Sequence, residues 1–351
     1  KQGRNREKTT IKIATGMGGG VDTSVAAYLA LTEGNAATGV TMRLCGGASE
    51  EETRAAAVCE RLGCPHLVWD LQSEFRAQVM ERFVRAYAEG LTPNPCIVCN
   101  RYIKFGLFMD KARGINADLV ATGHYARISR QGSRLLLQKA VDKAKDQSYV
   151  LYSLSQEVLG RVRFPLGALT KPEVREIARA QGFENADRSE SQDICFVPDG
   201  DYAAFIERYT GKTFPCGDFT DMQGKVLGTH KGIIRYTVGQ RRGLGLALPA
   251  SMYVVEKDVQ HNRVRLGFQE DLLSDTVEVG DINLIACESL DRSERLSVKI
   301  RYNQAEQPAT VEQTDRNHLR IRFDVPQRAV TAGQAAVLYD GDTVVGGGTI
   351  M

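Results

Sequence analysis

The chain has 351 residues, 42% of them hydrophobic and 25% charged, with a formal net charge of +2. That length fits two or three globular domains, and the near-zero balance excludes a polycation, so nucleic-acid binding must come from local basic patches. No apolar run reaches the roughly eighteen residues of a membrane span. The segment Lys1–Lys8 is polar and basic, so it is expected to be a frayed tail and not a secretory signal, with the true start missing. The eight cysteines are irregularly spaced, which points to a reducing, cytoplasmic setting and not to a disulfide framework.

In chain order, Ile11–Thr15 reads as a buried strand and Asp22–Leu31 as a helix. Gly39–Leu44 reads as strand, Glu50–Leu62 as a helix ending at Gly63, and His66–Leu71 as strand. Glu74–Ala88 then reads as helix, Asn100–Lys104 as the start of another, and Leu119–Thr122 as strand. This alternation predicts an α/β doubly wound parallel sheet, with ligands at the carboxyl ends of its strands. After a helix at Asp201–Tyr209 the chain becomes rich in Gly, Lys and Arg, and a small connecting domain with little core is expected. From Ser274 onward apolar residues alternate with polar ones, as at Leu296, Val298, Ile300 and Leu319, Ile321, Phe323, which predicts a C-terminal β-barrel. Asp340-Gly341 predicts a type I′ hairpin turn. The expected domains are 1–200, 201–273 and 274–351.

The segment Thr15-Gly16-Met17-Gly18-Gly19-Gly20-Val21-Asp22-Thr23-Ser24 follows a strand and opens a helix. Its glycines let backbone N–H groups approach a phosphate at a helix N-terminus. Asp22 and Thr23 are expected to cap the helix, and the Thr23 and Ser24 hydroxyls to reach phosphate oxygens. It lacks the lysine of a Walker loop and the third small residue of a dinucleotide fingerprint.

Downstream, Thr92-Pro93-Asn94-Pro95-Cys96-Ile97-Val98-Cys99-Asn100 places thiols near a predicted helix start, where thiolate is favoured. A zinc site would need a second cysteine pair, which is absent. A third element, Asp187 to Val197, carries Cys195. The other cysteines, Cys45, Cys59, Cys64, Cys216 and Cys287, are expected to be core or surface residues. Lys225, Lys231, Arg235, Arg241 and Arg242, with His230 and Tyr236 among them, suit phosphate contact and base stacking.

Together these segments resemble the tRNA-specific 2-thiouridylase family of PP-loop ATP pyrophosphatases. The resemblance runs from about Ile11 to Met351. It is carried by Gly18–Thr23, Thr-Pro-Asn-Pro at 92–95, Cys-Asn at 99–100 and Lys-Phe at 104–105. Further marks are Ala-Thr-Gly-His-Tyr at 121–125, Lys-Asp-Gln-Ser-Tyr at 145–149, Ser-Gln-Asp-Ile-Cys-Phe at 191–196, Tyr-Thr-Val-Gly-Gln-Arg at 236–241 and Gly-Leu-Gly at 243–245. Gly18 stands where the family has serine, which removes a hydroxyl donor.

The resemblance implies ATP-dependent thiolation of the wobble uridine in the anticodon stem-loop of tRNA, through adenylation of the C2 oxygen. It implies ATP, with Mg2+, at Gly16–Thr23, Met42 and Gly123. It implies a persulfide on Cys195, a partner nucleophile at Cys99, and Asn94, Pro95 and Cys96 against the target base. Cys96 replaces an aspartate of some members and cannot copy its carboxylate. Further tRNA contacts are implied at His124, Lys145, Asp146, Gln147, Arg301, Tyr302 and Gln334. A sulfur donor, such as a cysteine desulfurase or sulfur-relay protein, is implied as a partner. A second chemistry stays open, in which Cys96, Cys99 and Cys195 hold a 4Fe–4S cluster whose open iron binds sulfide. The competing functions are a small-molecule PP-loop adenylating enzyme and a tRNA-binding protein of impaired catalysis.

Overall fold

The computed structural model describes residues 10–47, 49–186, 194–248 and 250–351. The expectations for Lys1–Lys8 and for 187–193, including Ser191, Gln192 and Asp193, lie outside the described residues. The chain forms two compact units, Lys1–Arg76 with Cys99–Glu190, and Ala77–Val98 with Ser191–Met351.

In the first unit, strands β1 (Lys12–Gly16), β2 (Ala36–Arg43), β3 (His66–Asp70), β4 (Leu119–Ala121) and β7 (Val162–Arg163) form a parallel sheet in the order β3-β2-β1-β4-β7. β5 (Ala126–Gln131) and β6 (Arg134–Lys139) make an antiparallel hairpin. The strand order reverses at β1, so the crevice between the carboxyl ends of β1 and β4 is the ligand position of such a sheet. Helix α1 (Val21–Thr32) buries Val21, Val25, Ala26 and Ala30. Helix α2 (Glu50–Leu62) begins where the Ser49 side chain accepts the Glu52 N–H and ends at Gly63, whose φ of 66° only glycine adopts readily. Met17, Val25, Cys59, Leu166, Val174 and Phe183 share the core beside the sheet.

Two local expectations change. The N-cap of α1 is Gly20, without a side-chain cap, because the Asp22 carboxylate is engaged elsewhere. The helix containing the first cysteine pair starts at Pro95, not at Asn100, and passes into a π-helical stretch, Asn100–Leu107, before continuing as Phe108–Gly114. Proline suits a first helical position because its missing N–H has no intrahelical partner there. The side chain of the preceding Asn94 accepts the Cys96 N–H at 3.1 Å, and this cap moves the start upstream.

The second unit contains two sheets. β8 (Gly217–Thr220), β9 (Val226–His230), β10 (Tyr253–Asp258) and β11 (Arg263–Gly267) form one, in the order β10-β11-β8-β9. This middle segment has a real core: Phe219, Ile234, Val254, Val264 and Leu266 are fully buried. The expectation of little core therefore fails, since the high Gly, Lys and Arg content belongs to its turns and surface. β12 (Leu273–Leu284), β13 (Glu294–Lys299), β14 (Gln307–Asp315), β15 (His318–Arg328), β16 (Ala335–Asp340) and β17 (Thr343–Ile350) follow each other as β12-β15-β14-β13-β16-β17. Pairing of β12 with β17 closes them into a six-stranded antiparallel barrel. Closure leaves no open edge among these strands. The expected last hairpin forms, but its loop is Gly341-Asp342, since Asp340 pairs with Thr343. Only Gly341 has positive φ there, at 56°, the pattern of a type II′ turn.

Lys257 on β10 places a buried, unpartnered Nζ 5.8 Å from the ring centre of Tyr87. Burial pushes its pKa from 10.5 down to about 8, and burial also raises Tyr87 above its ordinary 10. Between pH 8 and pH 10 the unfolded lysine holds a proton that the folded one has lost, so stability rises with pH in that window. Lys257→Met is expected to stabilise the protein at pH 7 by on the order of 2 kcal/mol. Thermal melts at pH 7, 8, 9 and 10 check this, with the gain shrinking as pH rises.

Candidate active site

The glycine-rich loop leaves β1 at Gly16 and enters α1 at Val21. Met17 and Val21 point into the core, which anchors the loop at two places and leaves Gly18 exposed between them. The Met17 N–H donates to the Val40 carbonyl at 2.8 Å, tying the loop to β2. At Gly19 φ is 66°, and a β-carbon there would stand 2.6 Å from the Glu51 carbonyl oxygen. Both facts require glycine. A β-carbon on Gly18 or Gly20 would meet nothing within 4 Å, so the space above the loop is open. Met42 and Thr122 flank Gly16, and Gly123 passes so close to α1 that a β-carbon would lie 3.0 Å from the Thr23 nitrogen. The loop, Met42 and Gly123 are thus brought together at the reversal of strand order. The backbone fits a phosphate chain, because exposed amides and a helix N-terminus converge on unfilled space.

The hydroxyls behave differently from expectation. Ser24 is fully buried, donating to the Gly20 carbonyl at 3.0 Å and accepting from Asn185 Nδ2 at 3.0 Å. It belongs to the wall of the site. Thr23 Oγ1 donates to the same carbonyl at 3.0 Å and accepts the Gly18 N–H at 3.2 Å.

Asp22 is gripped by residues that the local sequence pattern does not reveal. Both its oxygens accept from Lys171 Nζ, at 2.7 and 2.8 Å, and Oδ1 also accepts from the Tyr125 hydroxyl at 2.7 Å. The Lys171 side chain is only 8% exposed and that of Asp22 26%, so this is a largely desolvated ion pair. Lys171 opens the helix Lys171–Ala180, which a Thr170/Glu173 capping box starts. Asn185 Nδ2 holds the Gly19 carbonyl at 2.9 Å. The capping box and the Lys-Pro pair at 171–172 are the sequence signals for a helix start there, but neither reveals the partner.

Tyr125 is itself clamped by Gln147, whose backbone N–H donates to the Tyr125 carbonyl at 2.9 Å and whose Oε1 accepts the Tyr125 N–H at 3.0 Å. Asp146 accepts from Ala140 N at 2.9 Å and from the Ser148 hydroxyl at 2.7 Å. Lys145 beside them is half-buried. His124 is buried between Phe105 and Phe164, with Nδ1 2.8 Å from Thr122 Oγ1. Burial, helped by the Lys104 charge, holds its pKa well below the ordinary 6.5, so it is neutral at pH 7.

In the second unit, the Thr92–Cys96 segment is clipped to the barrel. Thr92 N–H donates to the Ala332 carbonyl at 3.0 Å, and Gln334 Nε2 donates to the Thr92 carbonyl at 2.7 Å. Pro95 is buried and Cys96 exposed. Arg301 donates to the Ala329 carbonyl at 2.7 Å and to Thr331 Oγ1 at 2.8 Å, which braces the turn leading to Gln334. Tyr302 is exposed. Cys195 is exposed, whereas Cys99, in the first unit, is buried. Among the described residues no three His, Cys, Asp or Glu side chains converge to hold a metal ion.

The expected basic RNA patch is only partly accessible. His230 and Tyr236 are buried, packed edge-on against each other and Phe219. They fill the middle core and cannot stack on a base. Arg235 is paired with Glu207 at 2.6 Å. Lys225, Lys231, Arg241 and Arg242 are exposed. A cavity of about 480 Å³ opens beside Arg241, between Leu246 and Met252.

Comparison with known proteins agrees with this architecture. Residues 11–199 match the family model described as the tRNA methyl transferase HUP domain, residues 203–267 the tRNA methyl transferase PRC-barrel domain, and residues 274–350 the aminomethyltransferase beta-barrel domain. The chain is 44% identical to the tRNA-specific 2-thiouridylase MnmA of Lachnoclostridium phytofermentans, over 97% of this chain and 99% of that protein. It is 43% identical to the enzyme of the same name in Clostridioides difficile, over 97% and 98%. A relative from Thermoanaerobacter sp., tRNA-specific 2-thiouridylase MnmA 1, is 43% identical over 98% of each chain. The chain therefore belongs to the tRNA-specific 2-thiouridylase family.

Proposed function

We propose that this protein is a tRNA sulfurtransferase that uses ATP to replace the C2 oxygen of the wobble uridine with sulfur. The observation that carries the reading is the open glycine loop whose first helical turn is fixed by the Asp22–Lys171–Tyr125 cluster. ATP, with Mg2+ screening its phosphates, is the co-substrate that fits there. The uridine C2 oxygen attacks the α-phosphorus, and the bond to the β,γ-phosphates breaks to release pyrophosphate. The loop amides hold the phosphates, and the cluster keeps those amides aimed. Sulfur then adds at C2 and AMP leaves.

Sulfur arrives as a persulfide on Cys195, loaded by a donor protein such as a cysteine desulfurase or sulfur-relay protein. The Cys99 thiolate attacks the inner sulfur, hydrogen sulfide departs toward C2, and the Cys99–Cys195 disulfide that remains is reduced by an external thiol. Asn94 and Cys96 face the target base, with Pro95 buried behind them, and Lys145, Tyr302 and the exposed cations of the middle segment contact RNA phosphates and bases. Gln334 and Arg301 act by holding the 92–96 segment, and Gln147 by holding Tyr125. Thiolation of unmodified tRNA, assayed as 2-thiouridine after nucleoside digestion, tests the whole reading. Thiolation by iron-free protein from a persulfide donor supports the relay, and strict dependence on bound iron would overturn it.

Lys171→Met, verified as folded by circular dichroism, is expected to lower tRNA-dependent pyrophosphate release by at least about 100-fold, because it leaves the Asp22 charge uncompensated. Tyr125→Phe removes one neutral donor to the same carboxylate, and about a tenfold loss is expected. Retained release in Lys171→Met would remove the cluster from the reaction.

Gly18 favours a second reading, a tRNA-binding protein of impaired catalysis, and the open space there permits a direct test. Gly18→Ser fits without overlap and adds a hydroxyl worth roughly 1.5–3 kcal/mol to a charged phosphate. A rise in pyrophosphate release of about 10- to 100-fold is expected. Unchanged release would show that the glycine is no defect.

A further inference from the structure

Cys59 and Cys64 occupy the two positions that a helix-ending motif commonly brings together. The Cys64 N–H donates to the Cys59 carbonyl and the Gly63 N–H to the Glu60 carbonyl, both at 3.0 Å, around the left-handed Gly63. This bond pair is a Schellman motif, whose outer residues ordinarily share an apolar contact. Here both are thiols, and Cys64 packs against the buried cluster that contains Cys59. The site is asymmetric. Cys59 is fully buried under β2, where any β-carbon on Gly39 would overlap its sulfur. Cys64 is partly exposed. The neighbouring Cys59 thiol chiefly brings the Cys64 pKa down to about 7. The Cys64 sulfur beside it, and then burial, push the Cys59 thiol up. Met17, the loop residue bound to Val40, also flanks Gly39.

We propose that Cys59 and Cys64 form an oxidisable dithiol, with Cys64 as the site attacked by hydroperoxides and Cys59 as the resolving thiol. The Cys64 thiolate attacks a peroxide oxygen, the O–O bond breaks, and the other oxygen leaves as water or alcohol after protonation. The Cys59 sulfur attacks the resulting sulfenic acid, the S–O bond breaks, and water leaves. The two thiols supply the two electrons that the peroxide takes up, and the product is one intramolecular disulfide. The new bond draws the Cys59 sulfur from its place beneath Gly39, and Met17 shares that packing. Oxidation therefore weakens nucleotide binding at the loop, a consequence that rests on the ATP reading above.

Peptide mass mapping of the full chain tests the site directly. Protein is exposed to graded hydrogen peroxide, quenched in acid and alkylated under denaturing conditions. A Cys59–Cys64 disulfide is expected at a roughly tenfold lower dose than oxidation of the exposed Cys216, reversed by dithiothreitol. Cys64→Ala should leave Cys59 alkylatable at that dose. Sulfinic acid on Cys64 with Cys59 still alkylatable, or both thiols intact once Cys216 is oxidised, would overturn the proposal. ATP titration by calorimetry reads the consequence: affinity falls several-fold on oxidation of the parent and is unchanged in Cys64→Ala. A disulfide without that fall refutes the coupling, whereas an absence of ATP binding in the reduced parent refutes the nucleotide reading instead.

Discussion

The glycine-rich loop depends on a carboxylate held in a place where charge is expensive. Asp22 lies in the first turn of α1, and Lys171 supplies the opposing charge from a buried position. Removing two ions from water costs several kcal/mol each, and their attraction repays this only when the geometry is good and the remaining lone pairs are filled. The Tyr125 hydroxyl fills one. Gly123 lets β4 run against the helix start without a side chain between them. The pair contributes little net stability by such an account. What it supplies is position, because it leaves α1 one way to sit against the strand ends.

A similar division of labour recurs in the second unit. Proline on both sides of Asn94 restricts the backbone, Asn94 caps its helix, and the two bonds to Thr92 fix where the segment meets the barrel. Gln334 and Arg301, implied by resemblance to touch RNA, spend their polar groups on this support in the free protein. Tyr302, next in sequence to Arg301, is exposed and has Lys299 Nζ 5.6 Å from its ring centre. A bracing arginine beside an exposed tyrosine is what an RNA-reading surface on a rigid element requires.

Much of this was legible because it is local. A strand, a glycine run and a helix announce the loop, and Ser49 and Gly63 bound α2 at the expected residues. Period-two alternation announces the barrel strands. What stayed hidden depends on distant partners. Lys171 lies 149 residues from Asp22, and no spacing rule links them. Ser24 was expected to face phosphate, but Asn185, 161 residues away, accounts for its hydroxyl. His230 and Tyr236 sit among cations in the sequence, which suggested an RNA surface, yet an aromatic can face a small core as easily as a base. Cys59 and Cys64 passed as ordinary core thiols, because pairing across a helix end needs Gly63 to turn left-handed. The resemblance named the family and implied which cysteines react, whereas the supporting residues came from packing.

The loop also carries internal hydrogen bonds that its glycines alone do not imply. The Gly18 N–H donates to Thr23 Oγ1, and that hydroxyl donates onward to the Gly20 carbonyl. On the proposed reading, a phosphate arriving at Gly18 must take over an amide that is already satisfied. A neutral hydrogen bond of this kind is worth about 1 kcal/mol, and a charge-assisted one about twice that, so the exchange is favourable by a modest margin. Thr23 becomes free to turn its hydroxyl toward the ligand in the same step. A serine at position 18 would add a donor that needs no such exchange, since nothing stands near that β-carbon. On that reading Gly18 makes anion capture depend on rearranging Thr23, and it leaves the shape of the loop unchanged.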